Sequence, residues 1–95
     1  PMLQVCFADT FDDAVAEANN TKYGLAAGLI SDNEKLFERF SQKINAGVIN
    51  FNSTTTGASG AFPFGGIGRS GNLRPAGFYA ADYCAWPKAS IIKKL

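Results

Sequence analysis

Residues 54–71 read TTTGASGAFPFGGIGRSG and hold six of the chain's ten glycines, with Pro63-Phe64 between them. So many positions that tolerate positive φ do not suit a helix or strand interior, and each glycine loses more backbone freedom on folding than any other residue. A chain that accepts this loss needs its backbone close to something, either another backbone or a ligand. A flexible surface loop is the plainer alternative, but a long structureless loop inside a compact domain is more often functional. The segment reads as a ligand-facing loop.

Ninety-five residues suffice for one small domain with one modest core. An apolar fraction of 46% and a charged fraction of 18% are ordinary for a globular chain and unlike a disordered tail. The net charge of +1 gives no reason to expect nucleic acid or an acidic membrane as partner. Lys88, Lys93 and Lys94 read as a solvated terminus. No apolar run approaches transmembrane length and no signal peptide is visible, so no membrane is expected. Cys6 and Cys84 form no CxxC pair, which suits a reducing, cytoplasmic setting. Histidine is absent, which excludes Ser-His and Cys-His nucleophile pairs and any His-ligated metal within these residues. The strand-like pattern begins at once after Pro1, as expected of a piece of something longer.

Leu3, Val5 and Phe7 alternate with Gln4 and Cys6, the period of a strand. Thr10-Phe11-Asp12-Asp13 resembles a capping box with Asp in place of Glu, and Phe11, Ala14, Val15 and Ala18 follow at helical spacing. Asn19-Asn20-Thr21 ends that helix, Gly24 turns the chain, and residues 25–30 predict a buried strand. Ser31-Asp32-Asn33-Glu34 is a second capping box, ahead of Leu36, Phe37, Phe40 and Ile44 at helix spacing. Gly47 is expected as the left-handed C-terminal residue, and residues 48–52 as the third strand. The order β-α-β-α-β predicts an α/β unit with crossover connections. A helix is expected over residues 75–84 with Pro75 in its first turn, then a terminal strand over residues 89–94.

Gly66-Ile67-Gly68-Arg69-Ser70-Gly71 matches GxGxxG, the dinucleotide fingerprint, but its context is wrong. No strand precedes it directly, Pro75 follows too soon for a long helix, and no acidic residue stands ~20 positions on. Thr56-Gly57-Ala58-Ser59 is the better candidate. Consecutive small residues leave backbone N–H groups uncovered, and these can converge on a carboxylate, with Thr56 and Ser59 adding hydroxyls. A plain turn is the simpler reading of such a tetrapeptide. Phe64 nearby supplies an aromatic wall for a pocket. Arg69 and Arg74 could clamp a carboxylate or simply satisfy loop carbonyls. Cys6 and Cys84 read as inert packing thiols, and Asp9, Asp12 and Asp13 as helix-start chemistry.

Several short blocks, in order, resemble the C-terminal part of aldehyde dehydrogenases. They are residues 1–7, Ala18-Asn19-Asn20-Thr21, Tyr23-Gly24-Leu25-Ala26-Ala27-Gly28, Ala46-Gly47-Val48-Ile49-Asn50 and Pro63-Phe64-Gly65-Gly66. Thr56-Gly57-Ala58-Ser59, residues 65–72, Arg74-Pro75 and residues 79–87 look more narrowly like bacterial members that act on a carboxylated semialdehyde in arginine breakdown. The family's common pattern has lysine where Gly68 stands and glutamate where Pro75 stands, and both departures fit that subfamily.

The resemblance implies an NAD-dependent oxidoreductase in which a cysteine thiolate attacks the aldehyde, hydride passes to NAD, and a glutamate-activated water releases the acid. The nucleophile, the glutamate and the cofactor domain are then expected upstream of Pro1, so residues 1–95 alone are expected to be inactive. Within these residues the resemblance assigns substrate binding to Thr56, Gly57, Ala58 and Ser59 through backbone amides, with Phe64 lining the pocket and Asn52 at its mouth. Residues 88–95 are expected to pair with a neighbouring subunit in a homo-oligomer. Two alternatives stay open: a non-catalytic α/β module binding an anion through the loop, and a subunit-interface piece with no ligand role.

Overall fold

The computed structural model describes residues 1–73 and 75–95. Its centre is a β-α-β unit. Strand β1 (Ala26–Leu29) runs parallel to β2 (Val48–Phe51), in register from Ala26 opposite Val48 to Leu29 opposite Phe51. Parallel neighbours need a crossover, and helix α2 (Glu34–Lys43) supplies it. Helix α1 (Phe11–Asn19) precedes the unit and packs beside α2.

Local chemistry explains both helices. Thr10 caps α1, its hydroxyl accepting from the Asp13 amide at 3.1 Å. The cap of α2 is Asn33, whose side chain accepts from the Lys35 amide at 3.1 Å, whereas Ser31 only receives the Asn33 amide. The expected capping box therefore starts two residues late, because asparagine itself is a strong cap. Asn19 ties the two helices together, donating to the Lys43 carbonyl and accepting from the Asn45 amide, both at 2.8 Å. The core is small. Val15 and Phe40 are its buried apolar residues among those described, and Phe37 stacks on Phe51 at 4.9 Å between centroids.

Strand β1 is not buried as expected: its residues alternate between exposed and half-buried. Gly47 is not the left-handed cap either. The α2 cap is Ile44 with ordinary backbone angles, and Gly47 is glycine because a Cβ there would overlap the Gly65 carbonyl.

The glycine-rich segment adds a small hairpin that its composition hides. Strand β3 (Pro63–Phe64) pairs antiparallel with β4 (Ala76–Gly77), and the Phe78 amide extends the ladder to the Phe62 carbonyl at 3.2 Å. Pro75 thus precedes a strand, and the expected helix over residues 75–84 shrinks to α3 (Ala80–Tyr83). Residues 2–7 and 89–94, expected as strands, form no ladder among the described residues. A strand exists only where a partner takes its amides and carbonyls, and Phe7, Ile91 and Ile92 are 98%, 92% and 87% exposed. No helix among the described residues is long and apolar enough to cross a membrane.

Candidate functional site

The glycines of residues 65–71 face backbone. Gly24 is the hub: its carbonyl accepts from the amides of both Gly47 and Ile67 at 3.1 Å, and its own amide donates to the Ser70 hydroxyl at 3.2 Å. The Arg69 amide donates to Lys22, the Ser70 amide to Ile67 and the Gly71 amide to Gly68. The Ile67, Arg69, Ser70 and Gly71 amides of the fingerprint-like run are therefore spent within the protein, and only a three-residue 3-10 turn (Gly68–Ser70) opens there rather than a helix that could cradle a pyrophosphate. These residues do not fit a nucleotide phosphate site.

Gly57 and Gly60 differ. Nothing lies within 4 Å of a Cβ built on either, and Gly57 has φ +133°, open to glycine and strained for others. The amides of Gly57, Ala58, Ser59 and Gly60 donate to no acceptor among the described residues, and all four residues are exposed. The Ser59 hydroxyl accepts from the Ala61 amide at 3.2 Å and its carbonyl from the Phe62 amide at 3.2 Å, fixing the turn into β3. The Thr54 and Thr56 hydroxyls meet at 2.6 Å.

Phe64 lines a shallow depression of about 410 Å³ together with Arg69, Asn72, Ala76 and Tyr83. None of residues 56–59 lines it, so within these residues the aromatic wall and the exposed amides stand apart. Arg74, the other arginine considered as a clamp, lies outside the described residues.

Asn52 is engaged elsewhere. At φ +50° it turns its side chain back across the sheet end, accepting from the Ser31 amide and donating to the Ser31 carbonyl, both at 2.8 Å. It clamps the ends of β1 and β2 together. Asn50 is the residue that sequence reading passed over. Half-buried within β2, it donates to the carbonyls of Thr54 at 2.5 Å and Thr56 at 3.0 Å. The available signal was an amide inside the apolar run Val48-Ile49-Asn50-Phe51, since such a group must find partners. Cys6 and Cys84 are exposed thiols rather than packing residues. Among the described residues no cluster of histidine, cysteine, aspartate or glutamate could hold a metal ion.

The β-α-β unit with its glycine-sealed hub is a piece of a larger α/β catalytic fold, and the aldehyde dehydrogenase family model matches residues 1–89. The chain belongs to the aldehyde dehydrogenase family. It is 58% identical over 92 residues to the N-succinylglutamate 5-semialdehyde dehydrogenase of Photorhabdus laumondii subsp. laumondii, covering 97% of this chain and 19% of that protein. Among solved structures it resembles aldehyde dehydrogenase 21 from Physcomitrella patens in complex with the reaction product succinate, with TM-score 0.71 and 29% identity, covering 79% of this chain and 16% of that one. An NAD+ complex of aldehyde dehydrogenase from Bacillus cereus also matches, with TM-score 0.71 and 37% identity over 79% of this chain and 15% of that one. The chain thus spans about a fifth of the length of the curated relatives it matches.

Proposed function

We propose that these residues form part of an NAD-dependent dehydrogenase that oxidises N-succinylglutamate 5-semialdehyde to N-succinylglutamate. Their share of the work is to hold the substrate's distal carboxylate on the backbone amides of residues 56–59. The observation that carries this reading is the bare stretch from Gly57 to Gly60, whose four successive amides have no acceptor among the described residues, whereas the Ile67, Arg69, Ser70 and Gly71 amides just downstream are taken by protein carbonyls. A carboxylate accepts such donors well, each charge-assisted bond contributing about 1.5–3 kcal/mol. The 58% identity to a dehydrogenase named for this substrate supports the choice of acid, and the succinate complex of the Physcomitrella patens neighbour supports a dicarboxylate.

NAD, when bound, supplies the hydride acceptor. We place its site and the bond-making groups outside residues 1–95, because the run of residues 66–71 opens only a three-residue 3-10 turn and gives the amides of Ile67, Arg69, Ser70 and Gly71 to protein carbonyls. Phe64 is proposed to line the pocket near the reacting carbon. Asn52 enters by fixing where the loop leaves the sheet. Holding the far end of the substrate orients the aldehyde, and orientation of this kind can lower a barrier by several kcal/mol.

The test is Ala58→Leu in the full-length dehydrogenase, beside Gly57→Val. Blocking one charged hydrogen bond should raise KM for the semialdehyde about tenfold or more, at ~1.4 kcal/mol per factor of ten. An unchanged KM in both variants would favour the subunit-interface reading and remove the loop from the substrate site.

A further inference from the structure

We propose that Asn50 is a positioning residue that aims the Gly57 amide outward and thereby sets selectivity for aldehydes bearing a distal carboxylate. The proposal rests on the loop reading above. Asn50 stands opposite Gly28 in the parallel pair, and the chain folds back over that glycine: a Cβ on Gly28 would lie 3.6 Å from both the Ser53 carbonyl and the Thr55 methyl. The returning loop presents the carbonyls of Thr54 and Thr56 to the Asn50 amide, at 2.5 Å and 3.0 Å. An amide nitrogen has two hydrogens, so each carbonyl takes one.

Peptide geometry does the rest. All peptide bonds described are trans, and in a planar trans peptide the C=O and N–H point in opposite directions. With the Thr56 carbonyl turned in toward Asn50, the Gly57 N–H in the same peptide plane must point away from it. The Thr54 carbonyl does the same for the Thr55 amide. Neither amide has an acceptor among the described residues. The Thr54–Thr56 hydroxyl contact at 2.6 Å braces the two pinned residues against each other. A single side chain therefore fixes the direction of two amides, and their direction decides whether an acid can be gripped.

The experiment uses the full-length dehydrogenase with Asn50→Asp, which keeps the shape and removes both donors, and Asn50→Ala, which removes the amide. KM is measured for a carboxylated semialdehyde and for an uncharged aldehyde of equal length. The proposal expects KM for the carboxylated substrate to rise tenfold or more, while KM and kcat for the uncharged one stay within twofold. Equal losses on both substrates, no loss on either, or failure of both variants to fold would assign Asn50 a purely structural role and overturn it. A wild-type enzyme with no preference for the carboxylated aldehyde would instead refute the loop grip itself, and Asn50 selectivity with it.

Discussion

At Gly47 three backbones meet in a space with no room for a methyl group. Its amide and that of Ile67 share one acceptor, the Gly24 carbonyl, and a Cβ on Gly66 would stand 2.7 Å from that same oxygen. Gly47→Ala must push the Gly65 carbonyl away and loosen this junction. Overpacking of this kind costs about 1–3 kcal/mol, so the thermal midpoint should fall by several degrees. Gly60→Ala, with nothing within 4 Å, is the matched control and should leave the midpoint unchanged or slightly raised. Equal effects at the two positions would mean that the hub does not hold. The sequence makes the density of glycine legible, and with it the need for close approach. It does not say which glycines meet backbone and which stay bare, because that depends on residues 24 and 47, far away along the chain.

The elements divide by the range of the signals that make them. Helices α1 and α2 and strand β2 were legible because caps, helical spacing and a short apolar run are local. Hairpin β3–β4 was not, since a proline and flanking glycines argue against strands until pairing with Ala76 and Gly77 supplies the reason. The α1–α2 contact adds a pH dependence. Asp12 lies 2.7 Å from the Lys43 ammonium and 3.1 Å from the Arg39 guanidinium. The Lys43 hydrogen bond, reinforced by the charges of both cations against some desolvation, holds the Asp12 carboxyl below its usual range. A depressed folded-state value contributes stability above the unfolded value of about 3.9, and that contribution is lost as pH falls through the lower folded value. Asp12→Asn should therefore lower the thermal midpoint slightly at pH 7 and not at all once the pH is far below that depressed folded value. The groups are half-exposed, so raising the salt concentration should shrink the difference as well. A midpoint difference that persists unchanged at acid pH would place the effect in helix packing rather than in the ion pairs.

At the scale of the whole molecule, residues 1–95 carry more apolar surface than they can cover. The radius of gyration is 18.7 Å, where a compact chain of this length has about 12 Å. Leu3, Phe7, Trp86, Ile91 and Ile92 are each more than four-fifths exposed, against two buried core residues among those described. The segments expected as strands, residues 2–7 and 89–94, hold most of these side chains, and their backbone groups have no ladder partners among the described residues. That pairing is non-local and cannot be read from alternation alone. Unpaired, apolar edges of this kind recruit other chains. The isolated 95-residue chain should consequently bind an apolar dye and sediment as associated species. Mixed with NAD and a semialdehyde, it should form no NADH, since the proposal assigns these residues a grip on the acid and no bond-making group. The two readouts separate two ideas. A dye-silent monomer would show that the terminal segments fold back to cover themselves, whereas NADH formation would mean that the reacting groups lie within residues 1–95 after all.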